Sequence, residues 1–191
     1  MNEIIENVVL AESINRYRVA APKIAARRKA GQFVIVRIDE YGERIPLTIA
    51  DADPERGTIT LVVQAVGKST AQMATLRPGD RLLDVVGPLG APTHIERVGT
   101  VAVVAGGIGI APAHPIAQAF RAAGNTVIAI LGARSKDLMI MEDEMRQAAD
   151  EVLVCTDDGS YGCPGLVTHV LADLIATRGK PDQVSILKYM M

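Results

Sequence analysis

The chain has 191 residues, 49% hydrophobic and 22% charged, so its composition excludes a disordered chain. Its length allows one large domain or two of roughly 90 to 100 residues, and we expect two. The formal net charge of −2 gives no electrostatic reason to expect a nucleic-acid partner. The N-terminus lacks the basic start and apolar run of a signal peptide, and no apolar run reaches about 18 residues, so we expect a cytoplasmic protein without a membrane partner.

Short, mostly β-branched apolar runs characterise the first half of the chain. They cover residues 8–10, 33–38, 59–66 and 82–86, and turn sequences containing Pro and Gly separate them. Closely spaced strands with few helical stretches favour a small antiparallel barrel.

The first half also contains two candidate anion sites. Arg44 and Thr48 are four residues apart, which on one strand places a cation and a hydroxyl on the same face, and Pro46 between them limits strand pairing. The segment 67–71 offers a glycine turn and hydroxyls at a helix start. An ordinary helix N-cap is the alternative interpretation of this second segment.

From Gly99 onward the pattern changes to alternating strands and helices. Strands are predicted over 100–104, 126–131, 152–155 and 184–187, and helices over 111–123, 141–149 and 166–177. This alternation is typical of a parallel α/β sheet. We place the boundary between the two halves near residues 95–99.

A glycine loop between the first strand and helix of the second half is the strongest single signal. Its glycines, at positions 106, 107 and 109, let the backbone turn tightly and leave room for a pyrophosphate, which the helix N-terminus attracts. Pro112 suits the first helical turn but replaces the third glycine of the usual G-x-G-x-x-G pattern. Taken alone, the loop is compatible with a dinucleotide site and with a tight turn that holds no ligand.

Two further loops follow strands of the same sheet and should lie at its carboxyl edge. Arg134 and Lys136 come where dinucleotide enzymes contact the adenosine ribose, and these cations favour the 2′-phosphate of NADP. A solvated basic turn is the alternative. The loop at 156–165 contains Tyr161, which either stacks on a ligand ring or is an exposed loop tyrosine.

Five motifs in this order resemble the ferredoxin-NADP reductase superfamily: Arg44-x-Pro46-Leu47-Thr48, Gly67-Lys68-Ser69-Thr70, Gly87-Pro88-Leu89-Gly90, the loop 106–112 and Thr156-Asp157-Asp158-Gly159-Ser160. The likeness is greatest to the FAD-binding subunits of sulfide dehydrogenase and NADH-dependent ferredoxin:NADP oxidoreductase, and to the dihydroorotate dehydrogenase electron-transfer subunit. It covers nearly the whole chain, residues 4–184. The resemblance implies a six-stranded antiparallel FAD-binding β-barrel over residues 1–97 and a Rossmann-like α/β domain that binds NAD(P) over residues 98–191.

The resemblance also implies roles for individual residues. Arg44 is expected to pair with the FAD pyrophosphate, and Thr48 is expected at the catalytic position beside the reactive flavin nitrogen. The predicted FAD-binding residues are Arg44, Ile45, Pro46, Leu47, Thr48, Gly67, Lys68, Ser69 and Thr70. The predicted NAD(P)-binding residues are Gly106, Gly107, Gly109, Pro112, Arg134, Asp157, Asp158, Gly159 and Tyr161.

The implied activity is hydride transfer between NAD(P)H and FAD, followed by single-electron steps to an iron-sulfur partner such as ferredoxin or a second flavoprotein subunit. In such chemistry the cofactors react, and the protein orients and tunes them. Two alternatives remain open: an electron-transfer subunit of dihydroorotate dehydrogenase, and a non-catalytic remnant that keeps the FAD-binding fold.

The cysteines and the C-terminus depart from the family pattern. Related members carry a cysteine-rich tail that ligates a [2Fe-2S] cluster, whereas this sequence has only Cys155 and Cys163 and ends at residues 185–191 without such a tail. Two thiols cannot supply the four that such a cluster normally uses, so we predict no metal site in this chain. We expect a truncated sequence with an incomplete NAD(P)-binding domain. The alternative is a chain that relies wholly on other subunits as its electron outlet. The two cysteines are interpreted as reduced thiols, with Cys163 a small packed residue or, alternatively, a redox-sensitive one.

Overall fold

The computed structural model describes residues 2–188 of the chain, and residues 189–191 of the C-terminal stretch discussed above lie outside it. The chain divides into two compact units, Met1–Thr93 and His94–Met191. Each unit contains one sheet. No helix within residues 2–188 has the length and apolarity needed to cross a membrane.

The first unit is an antiparallel six-stranded barrel with two short helices. Its elements are β1 (Ile4–Ala11), β2 (Ile14–Ala20), α1 (Pro22–Ala25), β3 (Phe33–Arg37), β4 (Ile45–Asp53), β5 (Thr58–Gln64), α2 (Lys68–Ala74) and β6 (Asp84–Leu89). The strand order is β1-β2-β5-β4-β3-β6. The N–H of Ile4 donates to the Asp80 carbonyl and the N–H of Gly79 to the Ile4 carbonyl, both at 2.8 Å, which joins β1 to the segment before β6. The predicted six-stranded antiparallel barrel is confirmed.

Tyr17 is the largest side chain that is fully buried in this barrel. Its hydroxyl donates to the Met73 carbonyl at 3.0 Å and so joins β2 to α2. Burial raises the pKa of Tyr17 to about 12, because the phenolate would lose its hydration.

We expect Tyr17→Phe to lower the free energy of unfolding by about 1 to 2 kcal/mol, because the buried Met73 carbonyl loses its donor. The folded pKa of Tyr17 lies above its ordinary value of 10.0, so the stabilisation is fully present below pH 10 and is lost as the pH rises towards 12. Urea unfolding of both proteins at neutral and at alkaline pH measures the two effects. An alkaline loss of stability that is equal in both proteins would assign it to other groups.

The second unit is a parallel five-stranded sheet with helices. Its elements are β7 (Thr100–Gly106), α3 (Ile110–Ala122), β8 (Thr126–Ala133), α4 (Glu142–Ala148), β9 (Glu151–Thr156), β10 (Cys163–Pro164), α5 (Val167–Arg178) and β11 (Gln183–Lys188). Every pair of neighbours in the order β10-β9-β8-β7-β11 is parallel. The predicted parallel α/β sheet is confirmed.

Continuous apolar runs explain why the strands of this unit lie in its interior. Residues 101–105 of β7 and 127–131 of β8 are all buried, as expected for a parallel sheet with both faces covered. In α3 the buried Ile110, Ala113, Ala117 and Phe120 recur at helical spacing and form an apolar stripe.

Cys163 does not share this burial. Its side chain is exposed, whereas Cys155 in β9 is fully buried. The interpretation of Cys163 as a small packed residue is therefore wrong, because β10 is a short edge strand with nothing paired on its outer side among residues 2–188.

Candidate functional site

The strand order of the second unit creates a natural ligand position at the end of β7. The chain proceeds from β7 to β8 and β9 in one direction, and then returns to place β11 on the other side of β7. In open α/β sheets, ligands bind outside the carboxyl ends of the strands at such a reversal. The glycine loop follows β7 directly and therefore lies at this point.

An open cleft of about 360 Å³ occupies this position. The glycine loop, the end of β8, the start of α5 and the end of β11 form most of its wall. The lining residues are Val104, Ala105, Gly106, Gly107, Ile108, Gly132, Ala133, Arg134, Asp157, Leu166, Val167, Thr168, Leu171, Ile186 and Leu187. The two charged lining residues, Arg134 and Asp157, are both exposed.

The geometry of the glycine loop leaves room for a ligand. A β-carbon on Gly106 would meet only the Gly132 carbonyl oxygen, at 3.7 Å, and one on Gly107 would meet nothing within 4 Å. Gly107 also has φ of +55°, which glycine adopts without strain. The other two predicted residues lie outside the cleft lining: Gly109 is buried, and Pro112 is in the first turn of α3.

The loop after β9 is attached to the end of β8. The N–H groups of Asp157 and Asp158 donate to the carbonyls of Ala133 and Arg134 at 3.0 and 3.1 Å. The side chain of Asp158 accepts from both the hydroxyl and the N–H of Ser160, and these hydrogen bonds hold the pKa of Asp158 below its ordinary value. Of this loop, Asp157 lines the cleft, whereas Asp158, Gly159 and Tyr161 are not among the lining residues.

Tyr161 is held beside the cleft by its own partners. Its hydroxyl donates to Glu142 at 3.1 Å, and the Lys136 ammonium lies over its ring, 5.3 Å from the centroid. Tyr161 is half-buried, so the alternative of a freely exposed loop tyrosine is wrong.

In the first unit, the predicted FAD-binding residues occupy two neighbouring segments. Arg44 lies one residue before β4, and its exposed guanidinium is 3.7 Å from the Asp84 carboxylate. The Ser69 hydroxyl, in the first turn of α2, donates to the carboxylate of Glu43 at 2.9 Å. This contact brings the segments around residues 44 and 69 together.

The start of α2 is a hydrogen-bonded turn with an exposed lysine, whereas the side chains of β4 alternate between the barrel core and the opposite face. The Thr70 hydroxyl oxygen accepts from the N–H of Gly67 at 3.0 Å and closes the turn before α2, while Lys68 is exposed. In β4, Ile45 and Leu47 pack against the barrel core. Pro46 and Thr48 alternate with them and therefore face away from that core.

Sequence reasoning missed part of the cleft wall. The start of α5, with Leu166, Val167 and Leu171, and the end of β11, with Ile186 and Leu187, were not predicted as site residues. The available signal was the loop at 156–165, because a helix that follows this loop begins at the same carboxyl edge of the sheet.

No family model matches the chain. It is 47% identical over 178 residues to the dihydroorotate dehydrogenase B (NAD(+)) electron transfer subunit homolog of Thermotoga maritima, a match that covers 93% of this chain and 63% of that relative. It is 34% identical over 177 residues to the dihydroorotate dehydrogenase B (NAD(+)) electron transfer subunit of Fusobacterium nucleatum, covering 90% of this chain and 68% of that relative.

A solved structure of an NADH-dependent reduced ferredoxin-NADP oxidoreductase, studied for flavin-based electron bifurcation, superposes with a TM-score of 0.93 at 44% identity. The match covers 98% of this chain and 67% of that one. The chain thus spans roughly two thirds of the length of these relatives. With this architecture and these identities, the chain belongs to the ferredoxin-NADP reductase superfamily, in the branch that contains the dihydroorotate dehydrogenase B electron transfer subunits.

Proposed function

We propose that the chain is a flavin-dependent oxidoreductase subunit that transfers electrons between NAD(P)H and an iron-sulfur partner through FAD. The observation that carries the proposal is the glycine-lined cleft at the end of β7, in a chain whose relatives are named as electron transfer subunits. When FAD and the nicotinamide dinucleotide are both bound, the nicotinamide would supply a hydride and the flavin would pass its electrons on one at a time.

The second unit is proposed to bind and orient the dinucleotide. The open space at Gly106 and Gly107 fits the close approach of a pyrophosphate, and the N-terminus of α3 favours its negative charge. We propose NADH as the donor, since the dihydroorotate dehydrogenase B relatives are named for NAD(+). Lys136, which favoured NADP in the sequence, is engaged with the Tyr161 ring, and of the two cations only Arg134 lines the cleft.

The first unit is proposed to bind FAD. The exposed guanidinium of Arg44 fits a phosphate as a charge-assisted donor, and the segment 67–70, which the Ser69–Glu43 hydrogen bond holds beside it, adds the exposed ammonium of Lys68. Thr48 is proposed to place its hydroxyl against the isoalloxazine ring and to orient it for hydride transfer. We propose that the units Met1–Thr93 and His94–Met191 are the FAD- and NAD(P)-binding domains.

The test is a visible absorption spectrum of the purified chain with FAD, followed by anaerobic titration with NADH and NADPH separately. A bound flavin that is bleached by NADH at a lower concentration than by NADPH is the expected result. A flavin that binds and stays oxidised with both would point to a non-catalytic remnant. Absence of flavin binding would contradict the proposal.

The proposal also concerns the protein that accepts the electrons. We propose an iron-sulfur protein or subunit as the electron acceptor, with the dihydroorotate dehydrogenase B complex as a specific candidate because two relatives carry that name. Two measurements separate these partners: electron transfer from NADH to added ferredoxin, and electron transfer from NADH to an added dihydroorotate dehydrogenase catalytic subunit.

Replacing Thr48 by alanine is expected to slow flavin reduction by NADH about tenfold, because one hydrogen bond of about 1 to 1.5 kcal/mol is lost in the reacting complex. Thr48→Ser keeps the hydroxyl and should restore most of the rate. Stopped-flow absorbance under anaerobic conditions measures both, with FAD affinity determined in parallel. Equal rates for all three proteins would remove the Thr48 hydroxyl from the reaction.

A further inference from the structure

The two cysteines of the chain lie next to each other in the sheet, although seven residues separate them in the sequence. Strands β9 and β10 are parallel, and their register pairs Cys155 directly with Cys163. Side chains of paired residues in neighbouring parallel strands project from the same face of the sheet.

Their spacing suits a covalent bond. Neighbouring strands lie about 4.7 to 4.9 Å apart. A disulfide joins residues whose Cα atoms are about 4.4 to 6.8 Å apart, so the paired register brings this cysteine pair within the usual range.

The two thiols have different surroundings, which gives them different roles. Cys163 is exposed and open to an oxidant, whereas Cys155 is buried. The Cys155 thiol donates weakly to the Leu131 carbonyl, with Sγ and O 3.6 Å apart. Burial raises the pKa of Cys155, with smaller contributions from Cys163 and Asp157, so its thiol stays protonated and is not itself the first group to be oxidised.

We propose that Cys155 and Cys163 form a reversible redox modification site that is oxidised by a hydroperoxide to an intramolecular disulfide beside the cleft. Hydrogen peroxide oxidises the Cys163 thiol to a sulfenic acid and is reduced to one water. The Cys155 thiol then displaces the hydroxyl group from the Cys163 sulfur, which forms the S–S bond and releases a second water. In sum, two thiols lose two hydrogen atoms and one peroxide becomes two waters.

The bond would act on the cleft and on the loop after β9. Strand β9 pairs Cys155 with Gly132 of β8, a residue that lines the cleft, so the disulfide would form directly beside the cleft wall. The loop between the cysteines is already closed by the Thr156 hydroxyl, which donates to the Tyr161 carbonyl at 2.8 Å and accepts from its N–H at 3.0 Å. Strained or exposed disulfides of this kind are readily reduced, which makes the site reversible.

The test uses thiol chemistry alone and is independent of FAD and NADH binding. The purified chain is treated with hydrogen peroxide, unfolded and alkylated with iodoacetamide, and its mass is then measured by mass spectrometry. We expect the number of alkylated thiols to fall from two to none. The mass of the oxidised chain should be two hydrogen atoms lower than that of the reduced chain without alkylation. Treatment with dithiothreitol should restore both thiols.

The matched control is Cys163→Ser, which changes one atom at an exposed position and should keep the fold. After the same treatment it should retain its single alkylated thiol at Cys155. The proposal is overturned if wild type keeps two alkylated thiols, if Cys163 accumulates as sulfinic acid while Cys155 is alkylated, or if a non-reducing gel shows disulfide-linked dimers in place of the intramolecular product.

Discussion

Gly106→Val is expected to weaken NADH binding by on the order of a hundredfold, which corresponds to about 2.8 kcal/mol. Gly106 ends β7 with φ of −135° and ψ of 142°, an extended conformation that valine adopts readily. Its β-carbon would be 3.7 Å or more from every other group of the protein outside its chain neighbours, so the fold should accept it. The added methyl groups then occupy the space that the pyrophosphate needs.

A matched glycine in the other unit provides the control. Gly67 precedes α2 with φ of −146° and ψ of 175°, and a β-carbon there would meet nothing within 4 Å. Gly67→Val should therefore weaken FAD binding and leave NADH binding unchanged, the reverse of Gly106→Val. Equilibrium titrations of both ligands, with thermal unfolding of each variant, complete the design. Wild-type NADH affinity in folded Gly106→Val would place the pyrophosphate elsewhere.

The sequence predicted the second unit better than the first because burial differs between them. The strands of the parallel sheet are continuous apolar runs, and their predicted positions agree with β7, β8, β9 and β11 to within two residues at each end. β2 was not predicted, because Arg16 and Arg18 alternate with its buried Tyr17 and Val19. These arginines pair with Glu6 on the neighbouring β1, a contact that an apolar-run criterion does not detect.

Strand β4 is paired on one side only at Pro46, in agreement with the expectation that this proline limits pairing. Pro46 lies inside β4 opposite Ile35 of β3, while pairing with β5 on the other side begins only at Ile49. At Pro46 the strand thus needs hydrogen bonds on one side only, the situation in which a strand tolerates a proline.

Predicting the residues of the candidate site requires two kinds of information, local sequence chemistry and long-range strand pairing. Local chemistry identified the glycine loop, Arg134 and Asp157, since each directly follows a strand. The β11 part of the wall depends on the return of β11 to the side of β7, a pairing between segments about 80 residues apart that no local pattern specifies. The same holds for Cys155 and Cys163, whose proximity comes from strand register.

Arg44→Ala is expected to weaken FAD binding by about 1.5 to 3 kcal/mol, or roughly 10- to 150-fold, because a charge-assisted contact to phosphate is lost. The stability of the protein should hardly change, since the Arg44 guanidinium is exposed and its ion pair with Asp84 is 3.7 Å long. Arg44→Lys keeps the charge without the planar fork and should have intermediate affinity.

Arg56→Ala is the matched control for Arg44→Ala. Arg56 is also an exposed arginine of the first unit, paired with Asp53 at 3.5 Å, and is not among the predicted FAD-binding residues. Its removal subtracts the same charge from the protein, so any general electrostatic effect on the anionic cofactor appears in both variants and only a direct contact separates them. If FAD binds equally to the two variants, Arg44 acts through net charge alone and the pyrophosphate lies away from the segment before β4.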